Sequence, residues 1–452
     1  MKKLIICVLI IYLNATVINN NFRMSYQNLK FNNENMGLFE TSYLFDFNNY
    51  YSGIGIYSAV TGKRGGFFTG GIENGYKFNF NTFMWDNGIF LGAGGGGSAP
   101  QGSGLMIKLH SGILYKTKLF NYGININKII FPDGNINSTQ IGYQIDYKFK
   151  DIYFFHNIKI YEGQYDVINF LFEPFIINYF PINSNNTLGK KQSSFSVIGA
   201  RLKKEHDDYN TFFEAAGAFR GNSDGFAEYL FGIEKKYYIN YLFALGFAGG
   251  GKVDTKGGGV YRIGFSSNFK YINSEIGYFS SIERGFKSFY AGINLEKRFN
   301  FLTYGNKYIK NIKYQKFAIV LYNESYLVSN TIRKDNNSKR LDNLNVDIDY
   351  YLNDNLYTLI TAGAAYNGNS GGYAVGMIGI GYEKNNFFTK LSIGAAGGGN
   401  VDVGEGMISK YEIGSYYKNI FISIGKIKAI KGRLDTYFID FGYKFKFFKG
   451  KI

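Results

Sequence analysis

Histidine and serine side chains are the first candidates for chemistry in this sequence. It contains three histidines, His110, His156 and His206, and Ser111 directly follows the first. A histidine can activate a serine only when the imidazole reaches the hydroxyl. Neighbouring residues of a strand point to opposite faces, so His110 and Ser111 cannot pair. Three widely spaced histidines do not predict a metal site either. We therefore expect no catalytic residue, metal or cofactor, and a lipid-modifying enzyme is the least favoured alternative.

A glycine-rich segment occurs three times and provides the second set of candidates. The copies are 92–104, 246–258 and 394–406, and they align without gaps. Consecutive glycines permit bulges and bends and let another backbone approach closely. We favour a role in strand curvature, and the alternative is a flat patch against which a plug or substrate rests. No P-loop spacing follows them. The central glycines are Gly95, Gly96, Gly97, Gly249, Gly250, Gly251, Gly397, Gly398 and Gly399.

The alignment of these segments brings three basic residues to one equivalent position. They are Lys108, Arg262 and Lys410, each on the following strand and opposite the neighbouring Ile107, Tyr261 and Ser409. If the apolar strand faces meet lipid, these cations point into a lumen. One hypothesis is a basic ring that gives a pore an anion preference. The simpler interpretation is a set of ordinary solvated charges.

Similarity between the copies extends beyond the glycines. Segment 221–227 matches 368–374, and segment 142–149 matches 292–299 and, less closely, 438–445. A regular period of this kind predicts an array of repeats. We interpret the chain as three tandem units, roughly 20–150, 151–300 and 301–448.

The N-terminus has the pattern of a secretory signal peptide. Lys2-Lys3 is followed by an apolar run from Leu4 to Leu13 and then by small and polar residues, which predicts a signal over residues 1–17. Cys7, the only cysteine, lies inside this run and would be removed with it. The mature chain then has no disulfide and no thiolate chemistry.

The composition favours strands and gives little support to other classes. The 452 residues include 58 glycines, 40 tyrosines and 44 phenylalanines but only 4 prolines. Aromatic residues are enriched in strands. No later stretch approaches the roughly 18 consecutive apolar residues of a membrane-spanning helix. The formal net charge is +16, but the lysines are dispersed along the chain and form no recognisable nucleic-acid-binding motif, so we expect no nucleic-acid partner.

Alternation with period two runs through the mature chain. In 436–448, six apolar or aromatic residues occupy one face and Asp440, Gly442, Lys444 and Lys446 the other. Such alternation predicts half-buried strands. Eight strands are predicted in the first unit, eight in the third and eight or nine in the second. The connections are short and rich in Gly, Asn and Asp, as in β-hairpins. Two longer polar stretches, 181–192 and 328–340, are predicted loops on one rim.

With its signal peptide, aromatic final strand and uninterrupted apolar strand faces, the chain resembles the bacterial outer-membrane β-barrel proteins as a broad class. The resemblance implies an all-β, antiparallel, up-and-down barrel in the outer membrane of a Gram-negative cell. Eight strands in each of three units predict one large barrel of about 24–26 strands. Three linked eight-stranded barrels, or a smaller barrel with strands outside the membrane, are the alternatives.

The function expected from one wide barrel is a channel or export conduit with a basic lining. An unplugged pore of that width would leak solutes, so we expect side chains to narrow it or a plug or periplasmic partner protein to fill it. The other expected partner is the outer-membrane lipid around the barrel. The main alternative is a structural or surface-interaction barrel with a closed lumen.

Overall fold

In a computed structural model, the chain forms β-strands over most of its length. The structure describes residues 16–154, 162–269, 272–327, 332–335 and 340–452. The predicted signal peptide lies outside this part of the chain except at its last two residues, and His156 lies outside it as well. The strand predictions for the first and third units are confirmed, since sixteen observed strands match them in order and nearly in their bounds.

The first eight strands form a closed antiparallel barrel. Each strand pairs with the next, and β1 pairs with β8 from Thr16↔Tyr153 to Gln27↔Gly142, which closes the ring. The strands are β1 (Thr16–Phe31), β2 (Glu34–Phe47), β3 (Tyr50–Gly62), β4 (Phe68–Phe80), β5 (Phe83–Gly95), β6 (Leu105–Lys116), β7 (Phe120–Ile130) and β8 (Asn137–Tyr153).

The next eight strands form a second ring. It closes where β9 pairs on one side with β10 and on the other with β16, from Ser288↔Pro181 to Asn294↔Phe175. The strands are β9 (Glu162–Pro181), β10 (Phe195–Glu205), β11 (Tyr209–Arg220), β12 (Ala227–Lys235), β13 (Asn240–Gly249), β14 (Gly259–Phe269), β15 (Ile272–Ser281) and β16 (Lys287–Leu295).

Two short strands, β17 (Lys297–Tyr304) and β18 (Lys307–Lys310), lead to a third ring of eight. The third ring closes where β19 pairs with β26 from Lys313↔Lys451 to Tyr326↔Phe438. Its strands are β19 (Lys313–Tyr326), β20 (Leu341–Tyr351), β21 (Leu356–Asn367), β22 (Ala374–Lys384), β23 (Phe387–Gly397), β24 (Met407–Tyr417), β25 (Ile420–Ala429) and β26 (Asp435–Lys451).

The prediction of one large barrel of about 24–26 strands is therefore wrong. An antiparallel all-β barrel fold is correct, but the pairings β1–β8, β9–β16 and β19–β26 close three rings of eight strands, as in the alternative of linked small barrels. The physical reason lies in pairing that alternation cannot reveal. The last strand of each group hydrogen-bonds to the first strand of the same group and not to the next group. An interior of eight strands is just wide enough for side chains to fill.

The connections of the three barrels differ in length between the two ends. At one end, which we call the long-loop rim, they run from five to fourteen residues, apart from the tight turn at Asn32-Asn33. The polar stretch predicted as a loop over 181–192 lies, after Pro181, in the connection between β9 and β10 at this rim. Of the stretch predicted over 328–340, only residues 332–335 and 340 belong to the described part of the chain, and the rest of that prediction lies outside it. At the other end, the short-turn rim, the connections are two to four residues, such as Asn48-Asn49 and Asn385-Asn386. Positive φ angles at Asn385 and Asn386 (49° and 70°) fit the two-residue hairpin turn.

A small junction at the short-turn rim joins the units. The N-terminal half of β9 extends beyond its barrel and pairs with β17 and β18. Strand β17 also pairs with β26 at Phe301↔Lys451, which connects the second and third rings into one hydrogen-bonded sheet. Ile152, Phe154, Tyr165, Leu302 and Ile312 form an apolar cluster there. The Lys449 ammonium lies 2.6 Å from the Asp151 carboxylate and links the end of the third barrel to the end of the first.

Candidate functional site

The interior of the first barrel is filled by a buried ion-pair network. The Arg23 guanidinium lies 3.0 Å from Glu73 and 2.9 Å from Asp146, and it also bonds Asp86. The Tyr51 hydroxyl bonds the same guanidinium over 3.1 Å. All of these residues come from different strands and point inward. A network of this kind cross-links the wall and occupies the space through which a solute would pass.

The histidine candidates have structural surroundings. His110 is buried in the first barrel, with its Nε2 atom 3.0 Å from the Tyr51 hydroxyl. Ser111 points outward, and its hydroxyl accepts a hydrogen bond of 2.9 Å from the indole of Trp85, the only tryptophan. The expectation that His110 and Ser111 cannot pair is therefore confirmed. His206 lies in the turn between β10 and β11 and stacks on Tyr209, with a ring-centroid distance of 4.5 Å.

The second barrel contains a network with a different set of residues. Arg201 bonds Glu214 over 2.6 Å and Glu275 over 2.9 Å. Arg262 shares Glu214 and also lies 2.7 Å from Glu228. The same carboxylate thus bridges two guanidinium groups, so that the charges form one connected network.

The third barrel uses lysines where the other two also use arginines. Lys390 lies 2.9 Å from Asp347, and Lys444 lies 2.8 Å from Asp349 and 2.9 Å from Glu383. Such buried pairs require that both partners remain, because a single remaining charge would lie unpaired in a medium of low dielectric.

The three equivalent cations Lys108, Arg262 and Lys410 all lie inside barrels, but not in one lumen. Lys108 lies 2.9 Å from Glu40, Arg262 bonds Glu214 and Glu228, and Lys410 bonds Glu324. The hypothesis of a basic ring around a single pore is therefore wrong, because each cation is in a separate barrel and has a carboxylate partner. The sequence did not reveal these partners, since the acidic residues are spread over many strands and only closure shows which of them meet the cations.

The three barrels are arranged cyclically about one axis. Strand β3 contacts β13 and β14, β11 contacts β23 and β24, and β21 contacts β5 and β6. Counted within each barrel, the third strand thus contacts the fifth and sixth strands of the next barrel. The molecule thus has the form of a trimer of small barrels made from one chain.

The glycine segments lie where the barrels meet, at the long-loop rim. A Cβ atom on Gly66 would stand 2.1 Å from the backbone nitrogen of Gly250. The equivalent contacts join Gly225 to Gly398 over 2.8 Å and Gly372 to Gly96 over 2.9 Å, measured in the same way. We call these six glycines the glycine collar. A side chain at Gly66, Gly225 or Gly372 would press against the next barrel. At Gly96, Gly250 and Gly398 a Cβ atom would instead meet the carbonyl oxygen of the collar glycine of its own barrel, so the collar depends on close backbone approach both between barrels and within them.

Hydrogen bonds between barrels surround the collar. The Gly65 amide donates to the Lys256 carbonyl over 2.8 Å, and the Gln101 side chain donates to the Gly371 carbonyl over 2.8 Å. A salt bridge of 2.8 Å joins Lys334 to Asp224. All three interfaces between barrels thus have polar contacts in addition to backbone packing.

Ion pairs at the long-loop rim shift the acidity of two carboxyl groups. Partial burial alone would raise the pKa of Asp402, but a 2.6 Å hydrogen bond from Arg433 and one from the Gly404 amide hold the pKa below its usual value. The Lys431 ammonium, 2.9 Å from Glu405, lowers the pKa of that carboxyl. These pairs connect neighbouring loops of the third barrel.

Below the collar, the barrels line an apolar space of about 470 Å³ that is open to one side, which we call the central cavity. Its lining contains Gly66, Gly225 and Gly372 of the collar and the equivalent residues Phe68, Ala227 and Ala374. Every barrel contributes to it through outward-facing side chains. The sequence contains a signal for this arrangement only in the match between 221–227 and 368–374 and in the glycine segments, which show equivalence but not proximity.

Comparisons with known proteins agree only on the presence of β-barrels. No protein-family model matches the sequence, and no curated protein matches it. Among solved structures, a ferric enterobactin receptor from Pseudomonas aeruginosa is 8% identical, with 96% of this chain and 82% of that chain covered and a TM-score of 0.25. A siderophore receptor from Acinetobacter baumannii is 7% identical, with coverage of 96% and 80% and a TM-score of 0.26. A Rh. blastica porin is 8% identical, with coverage of 96% and 99% and a TM-score of 0.21.

Within the described residues, no helix is long and apolar enough to cross a membrane. The same part of the chain holds no group of three or more metal-ligating side chains.

Proposed function

We propose that the chain is a structural or surface-interaction protein of the bacterial outer membrane, whose three barrels are closed to solutes. The observation that carries this proposal is the filling of each eight-stranded interior by buried ion pairs centred on Arg23, Arg262 and Lys444. The channel expected from the sequence depended on one wide lumen. With narrow barrels filled by their own side chains, a separate plug protein is unnecessary.

The outward strand faces support a location in a bilayer. Ile124, Ile126 and Ile141 are 54%, 60% and 63% exposed, and similar apolar residues continue around each barrel. In water, this surface would favour aggregation. In a bilayer, closed barrels satisfy every strand hydrogen bond and place such a face against lipid.

Aromatic residues near the short-turn rim support the same location. Tyrosine, tryptophan and phenylalanine concentrate where a barrel crosses the boundary between hydrocarbon and head groups. Large exposed aromatic side chains occur next to the short turns of all three barrels. They are Phe80, Phe83, Trp85, Phe120, Tyr209, Tyr237, Tyr238, Phe387 and Tyr417.

The loop lengths support an orientation. Outer-membrane barrels have short periplasmic turns and longer extracellular loops. We therefore place the long-loop rim, with the glycine collar, at the cell surface. A partner outside the cell would meet the connection between β9 and β10, which is the longest one that the structure describes throughout.

An epitope tag tests this orientation. A tag after Gly189, which is open to solvent, is expected to bind antibody on intact cells. A tag after Asn386, in a short turn, is expected to bind antibody only after permeabilisation. The reverse pattern would contradict the orientation, and equal labelling of both tags on intact cells would contradict insertion in the membrane.

A narrow channel through a barrel is the second candidate. Within the described residues, the buried side-chain amides of Asn343 and Asn345 in the third barrel have no hydrogen-bond partner. Buried polar groups without a protein partner commonly bind water, which would form part of a hydrated path. Buried atoms without a partner also occur in the other two barrels, such as His110 Nδ1 and Arg262 Nε, but in the third both polar atoms of two nearby amides lack one, so a hydrated path is sought there first.

Planar-bilayer recording distinguishes the two candidates. Folded protein, verified by its heat-dependent mobility on a gel, is expected to give no discrete conductance steps. Long-lived steps that the purified protein produces in proportion to its amount would overturn the closed-lumen proposal. Loss of those steps in an Asn345→Leu variant would then locate the path in the third barrel.

Trp85 provides a direct test of the membrane location. Its indole is the only one in the chain and is 44% exposed on the outward face of β5. Reconstitution into vesicles with brominated acyl chains is expected to quench its fluorescence, because bromine quenches only on close approach. Fluorescence unchanged from that in non-brominated vesicles would contradict the proposal.

A further inference from the structure

We propose that the central cavity is a binding site for an acyl chain of a membrane lipid. The cavity encloses about 470 Å³, which lies within the range of roughly 300–1,000 Å³ of small-molecule sites. Its walls are the outward faces of strands, the faces that meet hydrocarbon elsewhere on the molecule. The proposal thus rests on the membrane location proposed above.

The cavity is closed at one end and open at its side. The glycine collar closes it at the long-loop rim through backbone contacts between barrels. Sideways, the lining continues through Ile176 and Ile198 to Ile272, Ile293 and Leu295. The last three are 52%, 59% and 55% exposed, so the lining reaches the outer surface of the second barrel. A lipid chain in the surrounding bilayer could enter from that side.

Side chains fill the central cavity beside the first and second barrels but leave it open beside the third. The alignment places Gly70, Tyr229 and Gly376 at one equivalent position of the three barrels. The Tyr229 ring packs against Phe68 at a centroid distance of 5.2 Å and fills the space between the first and second barrels. At Gly376, a Cβ atom would meet nothing within 4 Å. The open volume therefore lies beside the third barrel.

Small residues form the walls of this open part. Ala215 and Gly217 of the second barrel face Ala362, Ala374 and Ala395 of the third. Small side chains allow barrels or helices to pack closely in a membrane. They do so at Gly217, where a Cβ atom would stand in contact with the Ala395 methyl at 3.4 Å, whereas at Gly376 a Cβ atom would meet nothing within 4 Å, so the open part of the space lies at Gly376.

An acyl chain is the occupant that fits these features. An empty apolar space of this size destabilises its surroundings, because the lining atoms lose their contacts. Water gains little in an apolar cavity, which offers it few hydrogen-bond partners. The hydrocarbon that surrounds the barrels supplies a flexible apolar chain at high local concentration, and the lateral opening faces it.

The experiment measures retained lipid. Protein reconstituted in vesicles of phosphatidylethanolamine and phosphatidylglycerol is extracted with detergent and washed, and bound lipid per protein is measured by mass spectrometry. We expect wild-type protein to retain lipid and Gly376→Phe to reduce the retained amount by roughly tenfold, about 1.4 kcal/mol of binding free energy. The control Ile126→Phe, on the lipid-facing surface of β7, is expected to retain the wild-type amount.

A second variant controls for misfolding. Ala374→Leu fills the same space with a smaller side chain, and it is expected to lower lipid retention while the heat-dependent gel mobility remains that of wild type. Equal retention by wild type and folded cavity-filling variants would overturn the proposal, as would wild-type protein that retains none. If Trp85 fluorescence is quenched by brominated lipid in that last case, the membrane location stands and only the cavity site fails.

Discussion

Gly66 of the first barrel and Gly250 of the second lie so close that a Cβ atom on Gly66 would stand 2.1 Å from the Gly250 backbone nitrogen. The same relationship joins Gly225 to Gly398 and Gly372 to Gly96. Three unrelated turns would not repeat such a contact. The glycines therefore determine how the barrels pack together, in addition to the backbone conformation within each.

Substitution of Gly66 by alanine is predicted to weaken the packing of the first barrel against the second. The φ of Gly66 is +87°, so alanine adds backbone strain of about 1–3 kcal/mol and also a clash with the next barrel. Gly189→Ala is the matched control, because its φ is +74° but a Cβ atom there meets nothing within 4 Å. Urea unfolding in detergent is expected to show a larger decrease in the free energy of unfolding for Gly66→Ala than for Gly189→Ala. Equal losses would mean that the close approach between barrels has no energetic importance.

Removal of the Arg23 guanidinium is predicted to be among the most destabilising single changes. Arg23→Met leaves Glu73, Asp86 and Asp146 buried without their common cation, and the expected cost is about 3–5 kcal/mol. Lys431→Met is the control, since it breaks an exposed pair with Glu405 that is worth about 0–1 kcal/mol. The free energies of unfolding of both variants check this. Similar stabilities for the two would contradict a structural role of the internal network.

Strand positions could be predicted from the sequence, because alternation of apolar and polar residues is a local property. The pattern in 436–448 corresponds to β26, and the loops and hairpin turns follow from Gly, Asn and Asp. Closure could not be predicted in the same way. Whether β8 pairs with β1 or with β9 depends on contacts between residues far apart in sequence, and both pairings present identical faces to lipid and interior.

The site was only partly predictable for the same reason. Alignment identified Lys108, Arg262 and Lys410 as equivalent, and the structure places each inside a barrel. Their partners Glu40, Glu228 and Glu324 come from strands that alignment does not relate. The alignment of the glycine segments showed that the three barrels have equivalent surfaces at these segments. That these surfaces meet each other around an axis requires three separate rings, which the prediction of one large barrel excluded.

The long-loop rim is predicted to lose stability in acid through Asp402. Its pKa is below the ordinary value of 3.8, so the pair with Arg433 contributes stability above about pH 4 that is lost as pH falls through the lowered pKa. Since Arg433 is 49% exposed, the contribution is about 0–1 kcal/mol. The stability difference between wild type and Arg433→Gln is expected to shrink below pH 4. A difference that stays constant from neutral pH to strong acid would contradict the assigned ion pair.

Neutralisation of the three equivalent cations is predicted to change stability and not ion preference. Lys108→Met, Arg262→Met and Lys410→Met each leave a buried carboxylate unpaired, with an expected cost of about 3–5 kcal/mol. Each variant is made singly, because the three sites lie in separate barrels and their costs should be independent. A paired charge inside a filled barrel has no mobile ion to select, so each folded variant, like wild type, should give no discrete conductance steps in a salt gradient. Steps with an ion preference in one variant that folds would show that the barrel concerned conducts past the substituted position.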